Sequence, residues 1–134
     1  MTLQLLFDTP GFTVTHDCRH KLLHVTWRGT YTAASAITHC YLLLDFVRTT
    51  CSTKIFNDSA EVFDGWQEAS QWVGKDFFQI LGQAGVEAIA WVTAMDWPAR
   101  TCIELAMNHA QALPVATFEF DQEQAARSWL LSIR

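Results

Sequence analysis

The sequence has no basic run. Nine lysines and arginines face fourteen acidic residues in 134, a formal net charge of −5 at pH 7. Phosphate contacts supply most nucleic-acid affinity, so nucleic acid is disfavoured as a partner. Chain breakers are also scarce: six glycines and three prolines, at sparse junctions. A strand-rich sandwich would show many evenly spaced turn signals, so that class is disfavoured too. No stretch reaches the roughly 18 uncharged apolar residues of a membrane span. The longest candidate, Tyr41–Val47, is interrupted by Asp45. The N-terminus lacks the basic region and long apolar run of a signal peptide. The four cysteines, at 18, 40, 51 and 102, include no C-x-x-C pair and no glycine-rich phosphate loop is present. They are expected to be reduced thiols in a cytoplasmic protein.

What the chain has is apolar material. Half of its residues are hydrophobic and 17% are charged. That is enough for a substantial core, and 134 residues fit one domain spanning 1–134.

The first third reads as strands. Leu3–Phe7 ends at the turn Asp8-Thr9-Pro10-Gly11. Phe12 and Val14 alternate with Thr13 and Thr15, and Leu23, Val25 and Trp27 with His24, Thr26 and Arg28. Period-two alternation predicts half-buried antiparallel strands. After Gly29 the period changes. Thr32 is placed to cap a helix through Val47, with Ile37, Cys40, Tyr41, Leu44 and Val47 as its stripe. Thr53–Asn57 predicts a short strand ending at Asp58-Ser59. Asp64 is placed to cap a second helix, whose stripe is Trp66, Ala69, Val73, Phe77, Ile80 and Ala84. Gly74 marks a bend in it and Gly85 suits its C′ position. Val86–Val92 reads as a central strand buried on both sides. Asp96-Trp97-Pro98 starts a third helix, and Cys102, Ile103, Ala106, Met107 and Ala110 are its buried face. Leu113-Pro114 breaks it before the last strand, Val115–Phe120. Asp121 and Gln124 form a capping box for the last helix. The order β-β-β-α-β-α-β-α-β-α predicts an α/β fold with a mixed sheet. Right-handed crossovers put the helices mainly on one face.

At this point the chain resembles the small bacterial proteins of the STAS/SEC14-like group, with the SpoIIAA-like fold of an anti-sigma-factor antagonist. The likeness rests on Val25-Thr26-Trp27-Arg28-Gly29 closing the hairpin, and on Lys54-Ile55-Phe56-Asn57-Asp58 followed by Gly65-Trp66 and Trp72. Ala84-Gly85-Val86 leading to Ala90-Trp91-Val92, and Ala125 to Trp129-Leu130, complete it. The resemblance implies a regulatory, non-enzymatic module that binds proteins. In regulatory relatives a serine or threonine beside an aspartate, after a central strand, is phosphorylated by a partner kinase. Asp58-Ser59 occupies a similar place, so Ser59 is the candidate phosphoacceptor. The usual second small residue and glycine are replaced here by Ala60-Glu61-Val62-Phe63. SEC14-type relatives hold apolar ligands, which adds a small apolar molecule or lipid as the alternative partner. The six tryptophans and the loops after residues 57 and 93 are candidates to line its pocket.

Three constellations could carry chemistry. His16, Cys18, His20 and His24 supply zinc-ligand types around one hairpin. Metal-ligand spacing is missing, however, and Arg19 and Lys21 sit inside the cluster, so a solvated hairpin and no metal is the simpler reading. His39-Cys40 are adjacent on a helix and point about 100° apart; Cys40 belongs to the apolar stripe, which leaves Cys51 as the exposed thiol. Asp58, Glu61 and Asp64 gather between a strand and a helix, where open α/β sheets bind ligands. With Asp64 spent on the cap and Glu61 solvated, no catalytic residue and no cofactor is expected.

The anomaly is apolar surface. Leu42 and Phe46 lie opposite the first helix's stripe, and Trp72 and Phe78 fall off the second's. Off-stripe apolar residues mark an interface or are buried by neighbouring helices. The functional expectation is self-association, as a homodimer, through these four residues.

Overall fold

A computed structural model describes residues 3–63 and 66–133. Strands β1 (Leu3–Thr9), β2 (Phe12–Asp17), β3 (Leu22–Thr30), β4 (Lys54–Phe63), β5 (Ala88–Val92) and β6 (Val115–Phe118) form one sheet in that order. The β1–β2 and β2–β3 pairs are antiparallel, and β3 to β6 run parallel. Parallel neighbours need crossovers. They are α1 (Ala33–Thr50), the run α2 (Gln67–Trp72), π-helical turn (Val73–Phe77) and α3 (Phe78–Gln83), and α4 (Trp97–His109). Helix α5 (Glu123–Ser132) follows β6. This is the mixed sheet expected from the sequence.

Alternation along the strands divides the interior. Leu23, Val25, Ile55, Ile89 and Trp91 face α1 to α4 in the larger core. Leu22, Phe56, Ala88, Ala90 and Val92 face α5 in the smaller one, against Ala126 and Leu130. All five residues of β5 are buried. Three crossovers therefore cover one face and the last helix part of the other.

The helix ends follow local chemistry. Thr32 Oγ1 accepts from Ser35 N at 3.1 Å and Ser35 Oγ accepts from Thr32 N at 2.9 Å, a reciprocal capping box. Asp96 caps α4 by accepting from Ala99 N at 3.2 Å. Gly85, at φ 108°, closes α3, and Val86 N donates to Leu81 O at 3.0 Å. That is the backbone pattern of a helix ended by a left-handed glycine.

Four expectations need correction. Helix α1 runs on to Thr50, and Tyr41 is 48% exposed while Leu43 is buried in its place. Strand β4 does not stop at Asn57. Its pairing with β3 slips between Thr26 and Arg28, and Asp58 Oδ1 accepts from Ala60 N at 3.0 Å. A bulge thus absorbs the turn-like residues, and the strand continues to Phe63. The second helix changes phase at the π-helical turn, so its buried face passes from Val73 and Phe77 to Phe78 and Leu81, and Ile80 is only half-buried. Helix α5 begins at Glu123 with no side-chain cap, and the expected cap at Asp121 is not formed. Asp64, the expected cap of the second helix, lies outside the described residues; α2 begins at Gln67 after Trp66.

Gly74 sits in the π-helical turn where α4 comes closest. A Cβ there would lie 1.9 Å from the Ala106 carbonyl oxygen. At Gly82 the nearest atom to an added Cβ is Leu113 Cδ2, at 3.6 Å. Gly74→Ala is expected to cost about 1–3 kcal/mol by forcing the two helices apart. Gly82→Ala is expected to be neutral or to stabilise by up to about 1 kcal/mol. Urea denaturation of both variants checks this, and equal effects would contradict the close packing.

Candidate functional site

Between the sheet and helices α1 to α3 lies an apolar cavity. Strand alternation sends Ile55, Asn57 and Ser59 of β4 to this side, beside Trp27 of β3 and Trp91 of β5. Trp66, Phe77 and Phe78 close it from the helix side. Phe78 meets Trp91 edge-on at 5.6 Å between ring centroids, and Trp66 lies 6.2 Å from Trp91. The cavity offers about 50 Å³ to the centre of a water-sized sphere. That is room for about four waters.

Two polar side chains of β4 stand in this apolar setting. Asn57 is 9% exposed and Ser59 is 5% exposed. Each is met by an indole. Trp27 Nε1 donates to Asn57 Oδ1 at 2.6 Å, and Trp91 Nε1 donates to Ser59 Oγ at 3.0 Å. A buried polar group without a partner costs about 1–3 kcal/mol, so these bonds make the placement tolerable. Three of the six tryptophans thus line the cavity. The signal in the sequence was the spacing of Asn57 and Ser59 on one side of β4, hidden by reading the strand as ended.

Ser59, the candidate phosphoacceptor, is therefore an interior residue, and its Oγ is turned away from solvent. Of the acidic trio, Asp58 and Glu61 stand on strand β4 and not on a loop. Asp58 is on β4, two residues after Phe56, and turned to the α5 side, where it bonds its own bulge. Glu61 is exposed with its Oε2 3.7 Å from Arg28 Nε. Asp64 lies outside the described residues.

The off-stripe residues are largely absorbed by the fold. Phe78 is 2% exposed, because the phase change turns it inward, so it is not surface. Phe46 packs on Phe7 at 6.1 Å, and Leu42 is half-buried against the core. Trp72 stacks on Phe77 at 5.5 Å and reaches Tyr41 at 5.7 Å. Several of the large apolar side chains that do stand out, beside Leu3 and Leu5 on β1, were missed. Phe63, Met95, Trp97 and Phe120 are 54, 56, 72 and 57% exposed. They lie at or just after the C-terminal ends of β4, β5 and β6. Met95 N donates to Ala60 O, and Arg100 at the start of α4 pairs both terminal guanidinium nitrogens with Glu119 after β6, so the rim is braced.

The hairpin cluster is dispersed. His20 Nδ1 lies 2.9 Å from Asp17 Oδ2, and Arg127 Nη2 of α5 is 3.7 Å from the same oxygen. His24 faces α5, its ring 4.6 Å from Phe56. Among the described residues no three metal-ligating side chains come together. His39 Nδ1 meets Ser35 O at 2.7 Å, and burial pushes the Cys40 thiol far above its ordinary value. No thiolate is available there at neutral pH. Cys51 is exposed at φ 56° at the end of α1.

A family model described as SpoIIAA-like matches residues 22–131, well over half of the chain. No curated protein matches it. No helix among the described residues is long and apolar enough to cross a membrane.

Burial under α5 holds the His24 imidazole below its ordinary value, against the pull of Asp58 and Glu123 and with help from Arg127. The neutral ring is the folded form, so stability is full above about pH 6.5 and falls as acid protonates it. Thermal melts are expected to show a fall in Tm from about pH 7.5 to about pH 5.5 that is smaller in His24→Gln. Parallel pH profiles in the two proteins would contradict the burial of a neutral ring.

Proposed function

The chain belongs to the SpoIIAA-like family, and we propose that it acts as a non-enzymatic regulatory or scaffolding module whose partner is a protein, a second copy of itself included. Domains of this family are typically regulatory and bind proteins. The observation that carries the reading is the exposed rim of Phe63, Met95, Trp97 and Phe120. Interface cores are enriched in aromatic residues and methionine, and a central tryptophan commonly dominates the binding energy. Exposed Tyr41 beside half-buried Trp72 supplies a second apolar surface on α1 and α2, which keeps the helix face, Leu42 and Phe46 at its edge, as the competing surface for a homodimer. The deep burial of Cys40 and the ties of Asp58 to Ala60 N and of Glu61 to Arg28 support a role without catalysis.

The cavity favours a second reading, a small apolar ligand held among Trp27, Trp66 and Trp91. Its present size suits a molecule of few atoms, and a lipid chain would need the walls to move.

Native mass spectrometry and sedimentation across a concentration series test the first reading. A dimer is expected, and Trp97→Ser is expected to weaken it by on the order of tenfold or more with no fall in Tm, since Trp97 is exposed. A dimer weakened by Tyr41→Glu and not by Trp97→Ser would move the interface to the helix face. A chain that stays monomeric at every concentration would overturn self-association.

A further inference from the structure

Within the reading of the cavity as a ligand site, we propose that it recognises a small uncharged molecule through a carbonyl oxygen, using Asn57 and Ser59 as paired donors. The argument is one of orientation. An indole N–H only donates. Trp27 therefore holds the oxygen end of the Asn57 carboxamide at 2.6 Å and turns the NH₂ group away from itself. No acceptor for that NH₂ is found among the described residues. Trp91 donates to Ser59 Oγ in the same way, at 3.0 Å. The Ser59 hydroxyl hydrogen must then point elsewhere, and it too meets no acceptor among the described residues. Both side chains line the cavity and both are at least nine-tenths buried. Each tryptophan thus occupies one lone pair of its partner's oxygen and leaves the Asn57 NH₂ and the Ser59 O–H as donors without an acceptor among the described residues.

The rest of the wall restricts the occupant further. No charged side chain lines the cavity among the described residues. An anion would lose its hydration with no cation to replace it. A neutral ketone, ester or amide oxygen accepts from both donors without that cost. The aromatic and aliphatic walls take its apolar remainder. Room for about four waters limits the bound group to a few heavy atoms unless the walls yield.

The test uses a ketone and an alkene of the same shape, 2-butanone and 2-methyl-1-butene, each titrated into the full chain. The indole N–H resonances are followed by NMR. 2-Butanone is expected to shift the Trp27 and Trp91 signals and to bind about tenfold tighter than the alkene, two modest hydrogen bonds' worth. Ser59→Ala, and separately the Asn57→Leu, Trp27→Phe pair that leaves no indole unsatisfied, are expected to reduce that preference. Equal binding of ketone and alkene by the wild-type chain would overturn the donor assignment and leave the cavity an apolar site. Binding of neither would overturn the ligand site itself.

Discussion

The structure depends on one constraint: β4 must run through the middle of the sheet while carrying polar side chains into an apolar interior. It pairs in parallel with β3 on one side and β5 on the other. Asn57 and Ser59 enter the larger core from it. An unmet amide or hydroxyl there would remove a large part of the stability of a domain this size. The tryptophans of the two neighbouring strands meet the oxygen of each group. The bond from Trp27 joins β3 to β4 and the bond from Trp91 joins β5 to β4. Each is a side-chain tie laid across a backbone ladder, and together they fix the register of three strands.

The β4 bulge follows from the same constraint. Asp58 bonds Ala60 N at the slip between Thr26 and Arg28, and the strand extends to Phe63. The extension carries Val62 into the core and leaves Phe63 at the rim. The apolar side chains after β5 and β6 stand at the same end of the sheet. The polar side chains of the interior thus come from β4, and the apolar rim is shared by the ends of β4, β5 and β6. The rim supports the protein-binding reading, and the interior supports the ligand reading.

Much of the fold was legible because it rests on periodicity. The alternation of Phe12 and Val14, and of Leu23, Val25 and Trp27, gave the hairpins, and the Val86 to Val92 run gave the buried strand, which begins two residues later, at Ala88. Thr32, Asp96 and Gly85 marked helix ends by local bonds that need no tertiary context. Other features depended on packing that no local pattern carries. Phe78 read as an outlier on a regular helix; one π-helical turn, where Gly74 lets Ala106 approach, turned it inward. Asp58-Ser59 read as a strand end because both residues favour turns, and a bulge kept them in the strand. The site was hidden for the same reason. Tryptophan count suggested a pocket, but which indoles would find which partners depended on strand register.

The central claim is that the Trp27 and Trp91 N–H groups are bound to buried acceptors inside the cavity wall. Hydrogen–deuterium exchange of the six indole N–H groups, followed by NMR, tests it most directly. The account predicts that Trp27 and Trp91 exchange slowest, at rates set by opening of the sheet, while Trp97, 72% exposed, exchanges fast. Exchange of Trp27 and Trp91 as fast as Trp97 would contradict it.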